Sequence, residues 1–234
     1  MTRRNGFVLA LSLAWVVCGT MSAAAVTLDD FARVLDSIPV TNEARVLAAI
    51  DLGLQSSCCG FPANEAYHLF ERLATASGSS ADKEAIVLVV TQAIEKSLPI
   101  DSLLSKASEG LARGVSLASL GQLLSVRLQV LEACRDLCFF RYGILRATPG
   151  SPVAAGATAL PATRFDALLS EVGDALGDYL ESGGSPFESQ KIYDDVQARL
   201  TLLAGSVLSA EDVELLLSRI GPADLTQVVL AALR

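Results

Sequence analysis

Histidine is almost absent: His68 is the only one in 234 residues. That excludes a metal site built on several imidazoles and the paired-histidine His-Glu-x-x-His plan. The chain also has no Gly-rich phosphate loop ending in Lys and no Gly-x-Ser-x-Gly elbow, which removes the two commonest nucleotide and acyl-transfer signatures. The single tryptophan, Trp15, falls in a segment read below as a leader, so the mature chain has no indole to stack against a sugar ring. Positive charge is scarce too, with 18 Lys and Arg against 26 Asp and Glu. An acidic chain gains nothing from counterion release on phosphate, so nucleic acid is excluded as a partner class. Long apolar runs are missing as well. The most apolar stretch after the leader is AIVLVV at 85–90, between Glu84 and Glu95, far short of the roughly 20 residues needed to span a bilayer.

What is there begins with an address. Arg3 and Arg4 precede an apolar segment at 7–17 (FVLALSLAWVV), followed by Ser22-Ala23-Ala24-Ala25. This is the three-part plan of a secretory signal, with residues 1–25 as the leader and Ala23-x-Ala25 as the expected cut. Its loss takes two arginines and moves the net charge from −8 to about −10. Lipidation at Cys18 is the competing reading. A lipobox wants a small residue before the cysteine, and Val17 argues against that anchor.

From residue 26 onward apolar residues recur three and four apart, and strict alternation is nowhere sustained. The spacing predicts an all-α fold. The expected form is an irregular multi-helix bundle or an array of helical hairpins, about ten helices in two blocks. Expected helices cover 28–35, 42–54 behind Thr41 as N-cap, 64–76, 82–97, 101–112 and a long sixth from the cap Ser116 to about 145. That sixth helix carries Leu117, Leu120, Leu124, Leu128, Leu131, Cys134, Cys138, Tyr142 and Leu145 on one stripe, which would make it the spine of an N-terminal domain at 26–146. The uncharged stretch 147–163, ATPGSPVAAGATALPAT, reads as a linker. A C-terminal domain at 164–234 is expected to hold helices at 164–181, 186–203, 210–220 and 223–233. Ser209 and Asp212 stand at capping-box spacing, and Pro186 and Pro222 suit a first helical turn.

Four cysteines follow the leader: Cys58, Cys59, Cys134 and Cys138. An even number in an oxidising compartment points to disulfides. Bridging the adjacent pair, or the i,i+4 pair inside a helix, strains the bond geometry. The expectation is that each member of one duo bonds a member of the other, with the exact pairing open. Each bridge would close a loop of about 75 to 80 residues, contributing about 4 kcal/mol by the chain-entropy account. Zinc on four thiolates lacks the usual ligand separation, and neither duo is a Cys-x-x-Cys redox pair.

The remaining polar residues carry no reactive constellation. His68 lies at the border of its helix's apolar face, and a Cys58–His68 or Cys59–His68 dyad requires free thiols. Asp29-Asp30, Asp194-Asp195 and Glu211-Asp212 read as solvated helix faces, and Tyr179, Phe187 and Tyr193 as packing around the Gly183-Gly184 turn. The sequence therefore predicts an exported, non-enzymatic module. It would act through contacts with a protein partner in the cell envelope, with no cofactor, no metal and no membrane span once the leader is gone. The alternative expectation is a carrier of an apolar small molecule in a cavity between helices.

Overall fold

The computed structural model describes residues 25–55, 61–147 and 156–234. Residues 1–24 of the expected leader, with Cys18, and the Cys58-Cys59 pair lie outside them.

Ten α-helices occur among the described residues, 73% of which are helical. The helices are α1 (Leu28–Leu35), α2 (Glu43–Gln55), α3 (Ala63–Thr75), α4 (Ser80–Glu95), α5 (Asp101–Ala112), α6 (Leu117–Asp136), α7 (Ala162–Glu181), α8 (Ser189–Leu203), α9 (Ala210–Arg219) and α10 (Pro222–Ala232). Local chemistry explains most of the ends. Thr27 and Asp30 close a capping box on α1, and Ser209 and Asp212 close another on α9. The Ser116 hydroxyl accepts from the amide of Ser119 at the start of α6. Each of these oxygens satisfies an amide that the helix itself leaves unpaired. Gly114 follows α5 at φ +71°, a left-handed conformation that glycine adopts without a steric penalty.

Two expected starts are displaced. Asn42, not Thr41, caps α2, its Oδ1 accepting from the Arg45 amide at 3.2 Å. The Thr41 amide instead donates to Glu84 Oε1 across to α4. Pro186 precedes α8, which begins only at Ser189.

The larger difference is at the end of α6. The apolar stripe continues in the sequence to Leu145, but the α-helix stops at Asp136. One π-helical turn follows (Leu137–Arg141), then Gly143 at φ +62° and a short strand, β1 (Ile144–Arg146). Tertiary bonds outweigh helical spacing here. The Tyr142 carbonyl accepts from Arg219 at 2.8 Å, and the Tyr142 hydroxyl donates to Asp224. Part of the segment read as linker is ordered as β2 (Thr158–Leu160), which lies parallel to β1 in the register Ile144↔Thr158, Leu145↔Ala159, Arg146↔Leu160.

Two apolar cores result, and α6 serves both. Its first part, from Leu117 to Leu128, joins α1–α5 around Phe31, Phe70 and Ile86. Val130, Cys134 and Cys138 belong to a second core with α7–α10. The blocks meet where α7 crosses α6. Gly173 and Gly177, one turn apart on α7, permit the approach: a Cβ at Gly173 would stand 2.6 Å from Leu131 Cδ2, and one at Gly177 3.1 Å from Arg127 Cζ. No single helix among the described residues is long and apolar enough to cross a membrane. The combined run of α9 and α10 is bent by 80°.

Candidate functional site

Cys134 and Cys138 carry free thiols, 1% and 2% exposed, inside the second core. The expected cross-bonding of the two duos therefore has no support among the described residues. These sulfurs act as small apolar groups against Val130, Ile144 and Phe165. Burial pushes both thiols well above their ordinary pKa, Cys138 to about 12. His68 stands on the outer side of α3, its side chain 69% exposed and its Nδ1 3.0 Å from Glu71.

The aromatic group at the α7–α8 turn divides. Tyr179 is buried, its one hydroxyl hydrogen shared between the Ser185 carbonyl and Glu188, and Tyr193 reaches the Leu217 carbonyl. Phe187 is 81% exposed and packs in no core, which corrects its placement in that group. Among the paired acids, Asp30 and Asp212 cap helices, and Asp194 accepts from Gln190.

The most highly organised polar cluster was missed by sequence reasoning. Arg127 of α6 is 4% exposed. Its Nη1 lies 2.9 Å from Asp174, its Nε 2.7 Å from Glu181, and its second terminal nitrogen pairs with Asp178. Arg199 of α8 shares Asp178, and Lys106 of α5 shares Glu181 at 2.8 Å. Every guanidinium nitrogen is thereby satisfied, the condition under which a buried charge is tolerated. Burial lifts the Asp178 carboxyl, but the hydrogen bonds from Arg127 and Arg199 outweigh it and leave the group below its usual value. A readable signal existed. Asp174, Asp178 and Glu181 fall at i, i+4 and i+7 on α7, and Arg127 interrupts an apolar segment. The site is an electrostatic clasp between the two blocks.

A second interlock ties α6 to α10. Asp224 receives the Tyr142 hydroxyl, pairs with Arg141 at 2.7 Å and caps α10 through the Gly221 amide. Burial and the Asp224 carboxylate push the Tyr142 phenol from 10 to about 12. A phenol held neutral in the fold stabilises it fully below the unfolded pKa. That contribution is lost as pH rises through the folded one. Tyr142 should therefore form phenolate near pH 12; burial and Glu188 raise Tyr179 to about 12 as well, so Tyr142→Phe should roughly halve that late step in an ultraviolet titration. A Tyr142 step near 10 would show that the Asp224 bond does not hold.

Three depressions remain, one of them an open hollow of about 360 Å³ between α3 and α5 beside His68, Arg72 and Ser108. An open groove of about 460 Å³ runs between α8 and α9, lined by Thr201, Ala204, Ala210, Val213, Glu214 and Leu217. The same corner exposes Leu202 at 82% and Val207 at 55%. A smaller cleft, about 90 Å³, lies where the ends of α2, α3 and α4 meet β1 and α7. Its polar residues are Asp101, Arg146 and Asp166. Among the described residues no group of three or more His, Cys, Asp or Glu side chains is arranged to hold a metal ion. Compared with protein-family models, curated proteins and solved structures, the chain finds no match.

Proposed function

We propose that this protein is an exported, non-enzymatic helical module that binds an amphipathic segment of a protein partner in the cell envelope. The observation that carries the proposal is the α8–α9 groove with Leu202 and Val207 exposed beside it. Small side chains, Ala204 and Ala210, form part of its lining, and Val213 and Leu217 add apolar surface. That combination suits the apolar stripe of a helix laid into a groove. Glu214 lines the groove and Glu211 stands exposed on the same helix, in a chain of net charge −8. The fitting partner segment is therefore basic on its polar side. Export rests on the leader pattern, and the four cysteines after it would then meet an oxidising compartment. The carrier reading has less support: the two larger depressions are open to solvent, and the cleft at the α2–α4 ends takes about 90 Å³, against roughly 300–1,000 Å³ for pockets that enclose ligands of drug size.

The test is the double variant Thr201→Arg, Ala210→Arg. Both positions are exposed, so stability should change by no more than about 0.5 kcal/mol each. Envelope proteins that co-purify with the wild type should fall at least about tenfold in the variant, because two cations repel a basic segment and fill the groove. Undiminished recovery would remove the groove from the proposal. The same purification reports the mature N-terminus, and retention of residues 1–25 would overturn export by leader cleavage.

A further inference from the structure

The cleft at the ends of α2, α3 and α4 lies apart from the α8–α9 groove and has a different chemistry. Phe61, Leu98 and Pro99 form apolar walls. Asp166 lies deep, its side chain 17% exposed, with Oδ2 2.6 Å from an Arg146 terminal nitrogen. Its other oxygen, Oδ1, is buried and has no hydrogen-bond partner among the described residues. Asp101, the first residue of α5, is exposed and lines the same space. Arg146 and Asp166 offset each other, so Asp101 leaves the cleft one negative charge in excess. The charge that acts on Asp101, Glu65, is also acidic.

The wall itself is held in an unusual shape. Ser97 sits at φ +52°, the only non-glycine at positive φ among the described residues. It ends α4 with Leu98 N–H donating to the Ala93 carbonyl at 2.9 Å. A serine held in this region is strained, and the surrounding structure must hold it in place.

From this geometry we infer that the cleft binds a small primary alkylammonium group. The charged head is placed at Asp101 and the unpaired side of Asp166, and a chain of about four carbons lies along Phe61, Leu98 and Pro99. The volume limits the guest: about 90 Å³ admits an aminobutyl group, the end of a lysine side chain or a short free amine, and little more. The sign of the charge selects an amine over a carboxylate. The apolar walls select an alkyl body over a bare inorganic cation. Burial raises the pKa of both carboxylates, Asp101 adds to the shift of Asp166, and an ammonium between them offsets that cost.

The experiment uses the full mature chain and n-butylammonium chloride, followed through the backbone amide resonances of Gly53, Ser97, Leu98 and Asp101. Saturable shifts confined to these amides are expected. n-Butanol, equal in length and uncharged, should bind at least about tenfold more weakly, as should butylammonium to Asp101→Asn, because each comparison removes one charge from the pair. Asp101 is exposed, so Asp101→Asn should leave the other resonances in place. If N-acetyl-lysinamide shifts the same amides, the source is a partner's lysine. If only butylammonium does, the source is a free amine. Absence of saturable shifts, equal binding of butanol, or an unchanged affinity in Asp101→Asn would overturn the inference.

Discussion

Arg127→Met should destabilise the protein by about 3 kcal/mol and lower its melting temperature by roughly 10 °C. The guanidinium is 4% exposed, and three carboxylates converge on it. Removing it leaves Asp174, Asp178 and Glu181 facing one another along α7. Arg199 still answers Asp178, and Lys106 still answers Glu181. Asp174 loses its one paired cation in the cluster, which places the main penalty there. The carboxylates are 27–43% exposed, so water tempers the repulsion and the loss falls at the low end for a broken buried pair.

The dependence on pH gives the cause. Asp178 has a depressed pKa in the intact clasp, so its contribution exists above the unfolded pKa and disappears as pH falls through the folded one. Burial already raises Asp174 in the intact clasp; in the variant it and Asp178 lose the cation that lowers them, and acid relieves the crowding. The deficit measured by urea unfolding should therefore shrink between neutral pH and about pH 4. A neutralised network, Arg127→Met with Asp174→Asn and Glu181→Gln, should recover most of the loss. A triple variant as unstable as the single one would mean that the arginine acts by filling space at Gly177.

Much of the fold was legible because it was written locally. The ends of α1 and α5 follow from a capping box and a left-handed glycine, and both signals act within a turn of the residues that carry them. The α6 stripe predicts burial correctly as far as Cys138. It fails beyond that point because Arg219 and Asp224, far along the chain, hold Tyr142 outside a helix. β2 is hidden in a linker-like sequence for the same reason: Thr158–Leu160 has no strand pattern of its own and is extended by pairing with β1. The sites were less legible still. Asp101, Arg146 and Asp166 come from three separate elements, and no local spacing brings them together. The Arg127 clasp left a trace in the i, i+4, i+7 acids of α7, but the same pattern also describes an ordinary solvated helix face.

Phe31→Ala should cost about 3–5 kcal/mol at its site, and the loss should appear first as release of one helix. Phe31 is fully buried. Its ring meets Tyr67 edge-on at 5.8 Å, Phe70 at 5.9 Å and Phe61 at 6.4 Å. α1 has eight residues, below the roughly 12–15 that an isolated helix needs in water. Its order therefore depends on Phe31 and Leu35, both buried against the first core. Without the ring, α1 can detach while α2–α6 stay packed, which limits the global loss to the free energy that holds α1. Phe70, in the middle of α3 and 1% exposed, has no such escape, so Phe70→Ala should lower the stability of the whole block. Amide hydrogen exchange separates the two. In Phe31→Ala the α1 amides should exchange freely while those of α4 and α6 remain protected; in Phe70→Ala all three helices should lose protection together. Phe61 then links the outcome to the cleft, because it contacts Phe31 on one side and lines the ammonium site on the other. Release of α1 should weaken n-butylammonium binding, although α1 contributes no residue to that site. Full retention of α1 protection in Phe31→Ala would show that Leu35 and the Thr27–Asp30 cap hold the helix without the ring.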